Sequence, residues 1–197
     1  CKKMIKQIFR KIRFIISYRF RPLDNIYTNY LRLMGLETKT LVPISSKISW
    51  PHNLKIGGNC TLENDIYWKV DGPYTEGIKI NIGNSCFIGK GCEFNITKSI
   101  IIKDNCLIAS GCKFIDHDHG FTDTSLPMNK QKGKILDIIL SEDVWLGYNV
   151  IILKGVSIGK GSIVAAGSVV NKSIPAFEIW GGIPARKIAI RNANIPK

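Results

Sequence analysis

From Leu140 onward an aliphatic side chain returns at every sixth position: Leu140, Leu146, Ile152, Ile158, Val164 and Val170. Four places after each of the first five stands a small or β-branched residue: Val144, Val150, Val156, Ser162 and Ser168. Glycine follows the aliphatic residue directly at Leu146-Gly147 and Ile158-Gly159. The same rule governs two shorter runs upstream, Ile82-Ile88-Phe94 and Ile102-Ile108-Phe114, and more loosely Ile56-Leu62-Trp68. A period of six suits neither an α-helix near 3.6 nor a half-buried strand near 2. It suits a solenoid with three short sides, one hexad to a side. The aliphatic residue points inward, the residue four on fills the corner, and Gly or Asn takes the turn. Three hexads make one coil, and about five coils are expected to stack by parallel pairing at about 4.8 Å. The predicted class is all-β.

The cysteines fall into this pattern. Cys60, Cys86, Cys92, Cys106 and Cys112 each lie four residues after Ile56, Ile82, Ile88, Ile102 and Ile108. They take the corner slot that Val or Ser fills downstream. Cys86 should therefore stack on Cys106, and Cys92 on Cys112, as buried thiols acting as small hydrophobes. No CxxC pair supports a metal site, so no metal is expected. Free buried thiols suit a reducing compartment. Cys1 stands outside the pattern.

The register breaks between Trp68 and Ile82, slips by two residues before Ile102, and breaks widely between Phe114 and Leu140. The last gap leaves residues 120–139 as a projecting loop, polar and rich in Gly and Pro. Loops of this length are often functional. Just before it sits Asp116-His117-Asp118-His119, holding two of the three histidines in the chain. An imidazole takes a proton from a hydroxyl near neutral pH, and a neighbouring carboxylate fixes its tautomer. A solvated turn is the plainer reading of the cluster; its place at a coil exit beside a long loop favours chemistry.

Taken together, the hexads, the histidine-bearing exit, Val144-Trp145-Leu146-Gly147, Ala165-Ala166-Gly167-Ser168-Val169-Val170 and Gly182-Ile183-Pro184-Ala185 resemble the hexapeptide-repeat acyltransferases. The resemblance covers roughly residues 50–190. It is closest to the maltose/galactoside acetyltransferases and the sugar O-acetyltransferases of capsule, O-antigen and colanic acid assembly. It implies a left-handed parallel β-helix, a homotrimer, and acetyl-CoA bound between two subunits. Carried over by position, it makes His119 the general base and His117 the second candidate, with Asp116 or Asp118 orienting the imidazole. Trp145 matches a tryptophan beside the active site. Tyr148 falls where a smaller residue near the thioester is common, a departure at that contact. Ala166, Gly167 and Lys172 match the stretch along the pantetheine arm and phosphates, and Arg186 a basic residue near the nucleotide. The implied reaction is direct acetyl transfer to a sugar hydroxyl in the cytoplasm, within bacterial surface polysaccharide assembly. N-acetylation of an amino-sugar or of a xenobiotic uses the same fold and stays open, as does a non-enzymatic β-helix. A zinc site of the γ-carbonic anhydrase kind needs three converging histidines, and His52 lies more than three coils from His117.

Charge divides the chain. Of the net +13, residues 1–21 carry +8 with no acidic residue, and the other 176 residues carry +5. Within that basic end Met4, Ile5, Ile8, Phe9, Ile12, Ile15 and Ile16 form one helical stripe. A helix capping the solenoid and a helix lying on an anionic membrane surface both fit, the second placing the protein at the inner face of the cytoplasmic membrane. Nucleic acid has no motif to support it. No apolar run approaches the roughly 20 residues a spanning helix needs. The expected organisation is a basic helical segment (1–45), the β-helix (46–175) and a C-terminal tail (176–197).

Overall fold

The computed structural model describes residues 22–191. The apolar stripe of residues 4–16 lies outside them. The first element is helix α1 (Pro22–Leu33), with Pro22 in the first turn, where its missing N–H costs nothing. Asp24 in the first turn and Arg32 in the last complement the helix dipole. The helix docks through polar groups. Thr28 Oγ1 accepts from Val42 N at 2.9 Å, Asp24 Oδ1 from Ile44 N at 2.9 Å, and Tyr27 donates to Ser46 O at 2.9 Å. An inward face built this way escapes a search for apolar periodicity.

The strands then wind upward coil by coil. Below the first full coil lie β1 (Glu37–Thr38) and β2 (Lys47–Ile48). Coil one holds β3 (Leu54–Ile56), β4 (Thr61–Leu62) and β5 (Tyr67–Val70); coil two holds β6 (Ile80–Ile82), β7 (Phe87–Ile88) and β8 (Glu93–Ile96). Coil three holds β9 (Ile100–Ile102), β10 (Leu107–Ile108) and β11 (Lys113–Ile115); coil four holds β12 (Ile138–Leu140), β13 (Trp145–Leu146) and β14 (Ile151–Leu153). Coil five holds β15 (Ser157–Ile158), β16 (Ile163–Val164) and β17 (Val169–Val170). The first strand of every coil lies in one sheet, the second in another and the third in the last, so the section is a triangle of three parallel sheets. Then β18 (Glu178–Gly182) extends the second sheet, and β19 (Ala185–Ile190) folds back on it antiparallel.

The hexad residues Ile56, Ile82, Ile102, Leu140 and Ile158 line up along the first sheet, and all are buried. The second sheet stacks Leu62, Ile88, Ile108, Leu146 and Val164 in the same way. In the third, Trp68, Phe94 and Phe114 stack nearly parallel, at 4.4 and 4.7 Å between ring centroids. Such stacks add about 0.5–1.5 kcal/mol each beyond the area they bury.

Two of the three corners are built alike. A left-handed residue (Asn59, Ser85, Asn105, Asp143) precedes the corner slot of Cys60, Cys86, Cys106 or Val144. At the next corner Asp65, Gly91, Gly111, Asn149 and Gly167 precede Ile66, Cys92, Cys112, Val150 and Ser168. The stacking expected of the thiols is present. Cys86 Sγ donates to Lys103 O at 3.2 Å and Cys92 Sγ to Ala109 O at 3.3 Å, each reaching the coil above. Its hydrogen bond with Cys106 and its burial push the Cys86 thiol up to about 11. Cys60, in the lowest of these corner slots, is half-buried, because among the described residues no strand of the second sheet lies beneath its coil.

Candidate active site

The third corner, between the third sheet and the first, is where the chain departs from the coil. Coils one, two and three all exit there over insertions: residues 71–79, 97–99 and 116–137. The coil resumes at Ile138, so the long loop ends two residues before the limit expected at 139.

Asp116 is fully buried at this exit. Its carboxylate accepts from the amides of Thr97 (2.9 Å) and Lys98 (2.6 Å), closing the exit of the coil below. His117 is held on both sides of its ring. Nδ1 lies 3.0 Å from Asp116 Oδ1 and 3.1 Å from Thr97 Oγ1, and Nε2 lies 3.7 Å from Asp71 Oδ2. From here the two ends of the long loop run antiparallel as a neck. His117 bridges Ile135, Asp118 N donates to Lys134 O at 3.1 Å, and Leu136 N donates to Asp116 O at 2.9 Å. Asp118 accepts from Lys134 N at 2.7 Å and forms an ion pair with Lys154 of coil four. The Lys154 ammonium, then the Lys134 amide, hold its carboxyl below the usual carboxylate range.

His119 comes next, and its side chain is exposed. Its backbone is pinned nonetheless. A Cβ added to Gly133 would collide with Asp118 O and come within 3.2 Å of His119 Cα, so only glycine lets the two chains close here. Of the two carboxylates expected to orient a histidine, Asp116 reaches His117 and Asp118 reaches Lys154. Beyond the neck Gln131 ties the loop to itself, its amide donating to Asp123 O and Leu126 O at 2.8 Å each. Phe121, Leu126 and Met128 are left exposed at the tip.

The remaining expected contacts gather elsewhere. Trp145 is half exposed on the outer face of the second sheet, in register between Leu107 and Ile163. Tyr148 projects from the following corner, 61% exposed. Gly167 N donates to Tyr148 O at 2.7 Å, and a Cβ on Gly147 would lie 2.6 Å from Ala166 N, so Ala166-Gly167 sits directly above Gly147-Tyr148. Arg186 stands on β19 opposite Gly181, in a hairpin tied down by Gly182 N to Ser168 Oγ at 3.1 Å. Below Tyr148 a groove of about 910 Å³ passes Ser110, Glu63, Lys90, Phe87 and Lys39. Lys172, after β17, belongs instead to the third corner, with the histidines. A single chain thus places the expected residues in two separate groups: His117, His119, Asp116, Asp118 and Lys172 at one corner, and Trp145, Tyr148, Ala166, Gly167 and Arg186 on and beside the second sheet. Asp71, Thr97, Gly133 and Lys154 escaped the sequence reading. The signal for them was that every register break falls after a third hexad, hence at one corner.

Among the described residues no group of three or more His, Cys, Asp or Glu side chains is placed to hold a metal ion, and no helix is long and apolar enough to cross a membrane. Comparison with known proteins gives the class. Residues 137–172 match the family model described as bacterial transferase hexapeptide (six repeats), and residues 79–112 the hexapeptide repeat of succinyl-transferase. Both stretches of the chain are therefore hexapeptide repeats, and its solenoid is a left-handed parallel β-helix.

Particular relatives follow. The chain is 30% identical over 142 residues to the galactoside O-acetyltransferase of Escherichia coli K12, covering 68% of this chain and 62% of that one. Over 98 residues it is 35% identical to an E. coli K12 protein bearing the name of a lipopolysaccharide biosynthesis O-acetyl transferase, WbbJ, covering 46% and 50%. Among solved structures, a hexapeptide-repeat-containing acetyltransferase of Vibrio cholerae, complexed with acetyl-CoA, superposes with a TM-score of 0.60 at 26% identity, covering 92% of this chain and 84% of that one. The chain spans less than two thirds of the length of the curated relatives it matches, 38% for a mycobacterial one and 62% for the galactoside enzyme.

Proposed function

We propose that the protein is an acetyl-CoA-dependent O-acetyltransferase that acetylates a sugar hydroxyl in bacterial surface polysaccharide assembly, with His119 as general base. One observation carries the assignment: His117 has both ring nitrogens turned to groups of the coil exits, whereas His119, two residues on, stands exposed on a neck that fixes its backbone. The names of the galactoside enzyme and of WbbJ support sugar O-acetylation, and the ligand of the Vibrio structure supports acetyl-CoA as donor.

His119 takes the hydroxyl proton as the oxygen attacks the thioester carbonyl carbon. The C–S bond then breaks, and coenzyme A leaves as the thiol with the proton returned by the imidazolium. The residues suit the donor. Trp145 and Tyr148 offer exposed flat surface, the space around Gly167 is open, and Lys172 and Arg186 supply cations for phosphate groups.

The separation of the two groups supports a homotrimer in which the neck of one subunit meets the second sheet of the next. The apolar loop tip (Phe121, Leu126, Met128) and the exposed stripe of Leu107 and Trp145 fit such a contact. A cytoplasmic setting follows from the donor, and the basic residues 1–21 suit contact with an anionic membrane face.

The test is release of free thiol from acetyl-CoA by the full chain with a panel of sugars and polysaccharide fragments. Saturable release that depends on one acceptor class is expected. No acetyl-CoA binding and no release with any acceptor overturns the enzyme reading.

A further inference from the structure

Helix α1 is amphipathic in the reverse sense for a helix lying on a protein. Its docked side is Asp24, Thr28 and Leu31 with Tyr27, held mostly by hydrogen bonds. Its outer side is Leu23, Ile26, Tyr30, Leu33 and Met34, all exposed, Ile26 at 67% and Leu33 at 87%. At helical spacing these five fall within an arc of roughly 100°. Leu41 and Ile44, on the segment under the helix, are exposed as well. An apolar stripe of this length left in water marks a surface that binds something.

We infer that the outer face of α1 docks on an anionic lipid bilayer, lying in the plane of its interface. The occupant is argued from charge. Residues 1–21 precede α1 in the sequence and bring eight Lys or Arg and no acid, with apolar residues recurring every three or four positions from Met4 to Ile16. A protein partner or the chain's own packing gives no reason to exclude every acidic residue over 21 positions. A negatively charged lipid surface does. The inference builds on the membrane contact proposed for residues 1–21 and goes beyond it, by assigning the apolar anchor to a folded element rigidly joined to the β-helix.

The test is co-sedimentation of the full chain with vesicles of phosphatidylcholine alone and of phosphatidylcholine mixed with phosphatidylglycerol. It compares wild type, Leu33→Ser, Ile26→Ser/Leu33→Ser, and a variant with Lys2, Lys3, Lys6 and Arg10 changed to Gln. Wild type is expected to pellet with the anionic vesicles only, less so at high salt. The double variant should lose affinity by about tenfold or more, and Leu33→Ser by part of that. Leu33 is exposed enough that its loss cannot act through misfolding.

If both serine variants pellet like wild type while the glutamine variant does not, the basic contact stands and the inference for α1 falls. Absence of pelleting by wild type overturns both. A changed sedimentation mass in the double variant without lipid assigns the face to a contact between copies and overturns the lipid reading. Thiol release by unbound protein is independent of every arm, so failure here is distinct from failure of the enzyme reading.

Discussion

The imidazole of His117 and the carboxylate of Asp71 lie on different coils and meet with Nε2 3.7 Å from Oδ2. With Thr97 and Asp116 on Nδ1, the ring joins the exits of three successive coils. It works as a strut for the corner from which the neck and His119 rise.

The two histidines should therefore fail differently. His119→Ala is expected to lower kcat by about 10²–10⁴-fold with the melting temperature unchanged. His117→Ala is expected to cost about 1–2 kcal/mol of stability, through lost hydrogen bonds, with a smaller loss of rate. Thiol-release kinetics beside thermal melts separate the two. A dead, fully stable His117→Ala variant would move the base two residues back.

If the two groups meet between subunits, inactive variants should rescue each other. His119→Ala and Trp145→Ala chains, unfolded together and refolded, are expected to regain part of the activity that neither shows alone. Sedimentation should give three times the 22.0 kDa chain mass. No rescue from a mixed oligomer would place both residues in one chain's site or in none.

The Asp118–Lys154 pair should make the neck sensitive to acid. The carboxyl titrates below its ordinary value of 3.8 in the folded chain. Its contribution is therefore complete above the unfolded value and lost as pH falls through the folded one. Pepsin is expected to nick residues 120–137 more readily as pH drops through that range. Asp118→Asn should already be cut faster by trypsin at Lys132 and Lys134 at neutral pH. Equal cleavage rates would show that the pair does not hold the neck.

Phe94 lies between Trp68 and Phe114 with no exposed surface. Phe94→Ala is expected to cost about 3–5 kcal/mol, read from denaturant unfolding, and Phe94→Leu clearly less. A cost below 1 kcal/mol would mean that the column does not hold the coils.

The buried thiols should be inert in the folded protein. Peptide mapping after iodoacetamide treatment at neutral pH is expected to find Cys86, Cys92, Cys106 and Cys112 unmodified and Cys60 slowly labelled, with all five reacting in denaturant. Fast labelling of Cys86 would contradict a thiol pushed up to about 11.

The sequence by itself determined the solenoid. A repeat of six in which one position must be aliphatic and another must fit a tight corner is a local rule, and each coil obeys it whatever lies beyond its neighbours. For that reason the hexad pattern alone places Leu146 and Cys106 on the inward face. The aromatic column was also legible, since Trp68, Phe94 and Phe114 each close a run of three hexads.

A helix was expected within residues 1–45, but the place and the docked face of α1 were not legible, because its contacts to the coil are mostly polar and its apolar face points outward. Nor was the difference in surroundings between His117, held on both sides of its ring, and His119, exposed two residues on. That rests on Asp71 and Thr97, which reach the corner only because insertions of unequal length exit at the same edge of the prism. Stacking turns distance along the chain into a rise of about 4.8 Å per coil, and only the folded stack shows which side chains then meet.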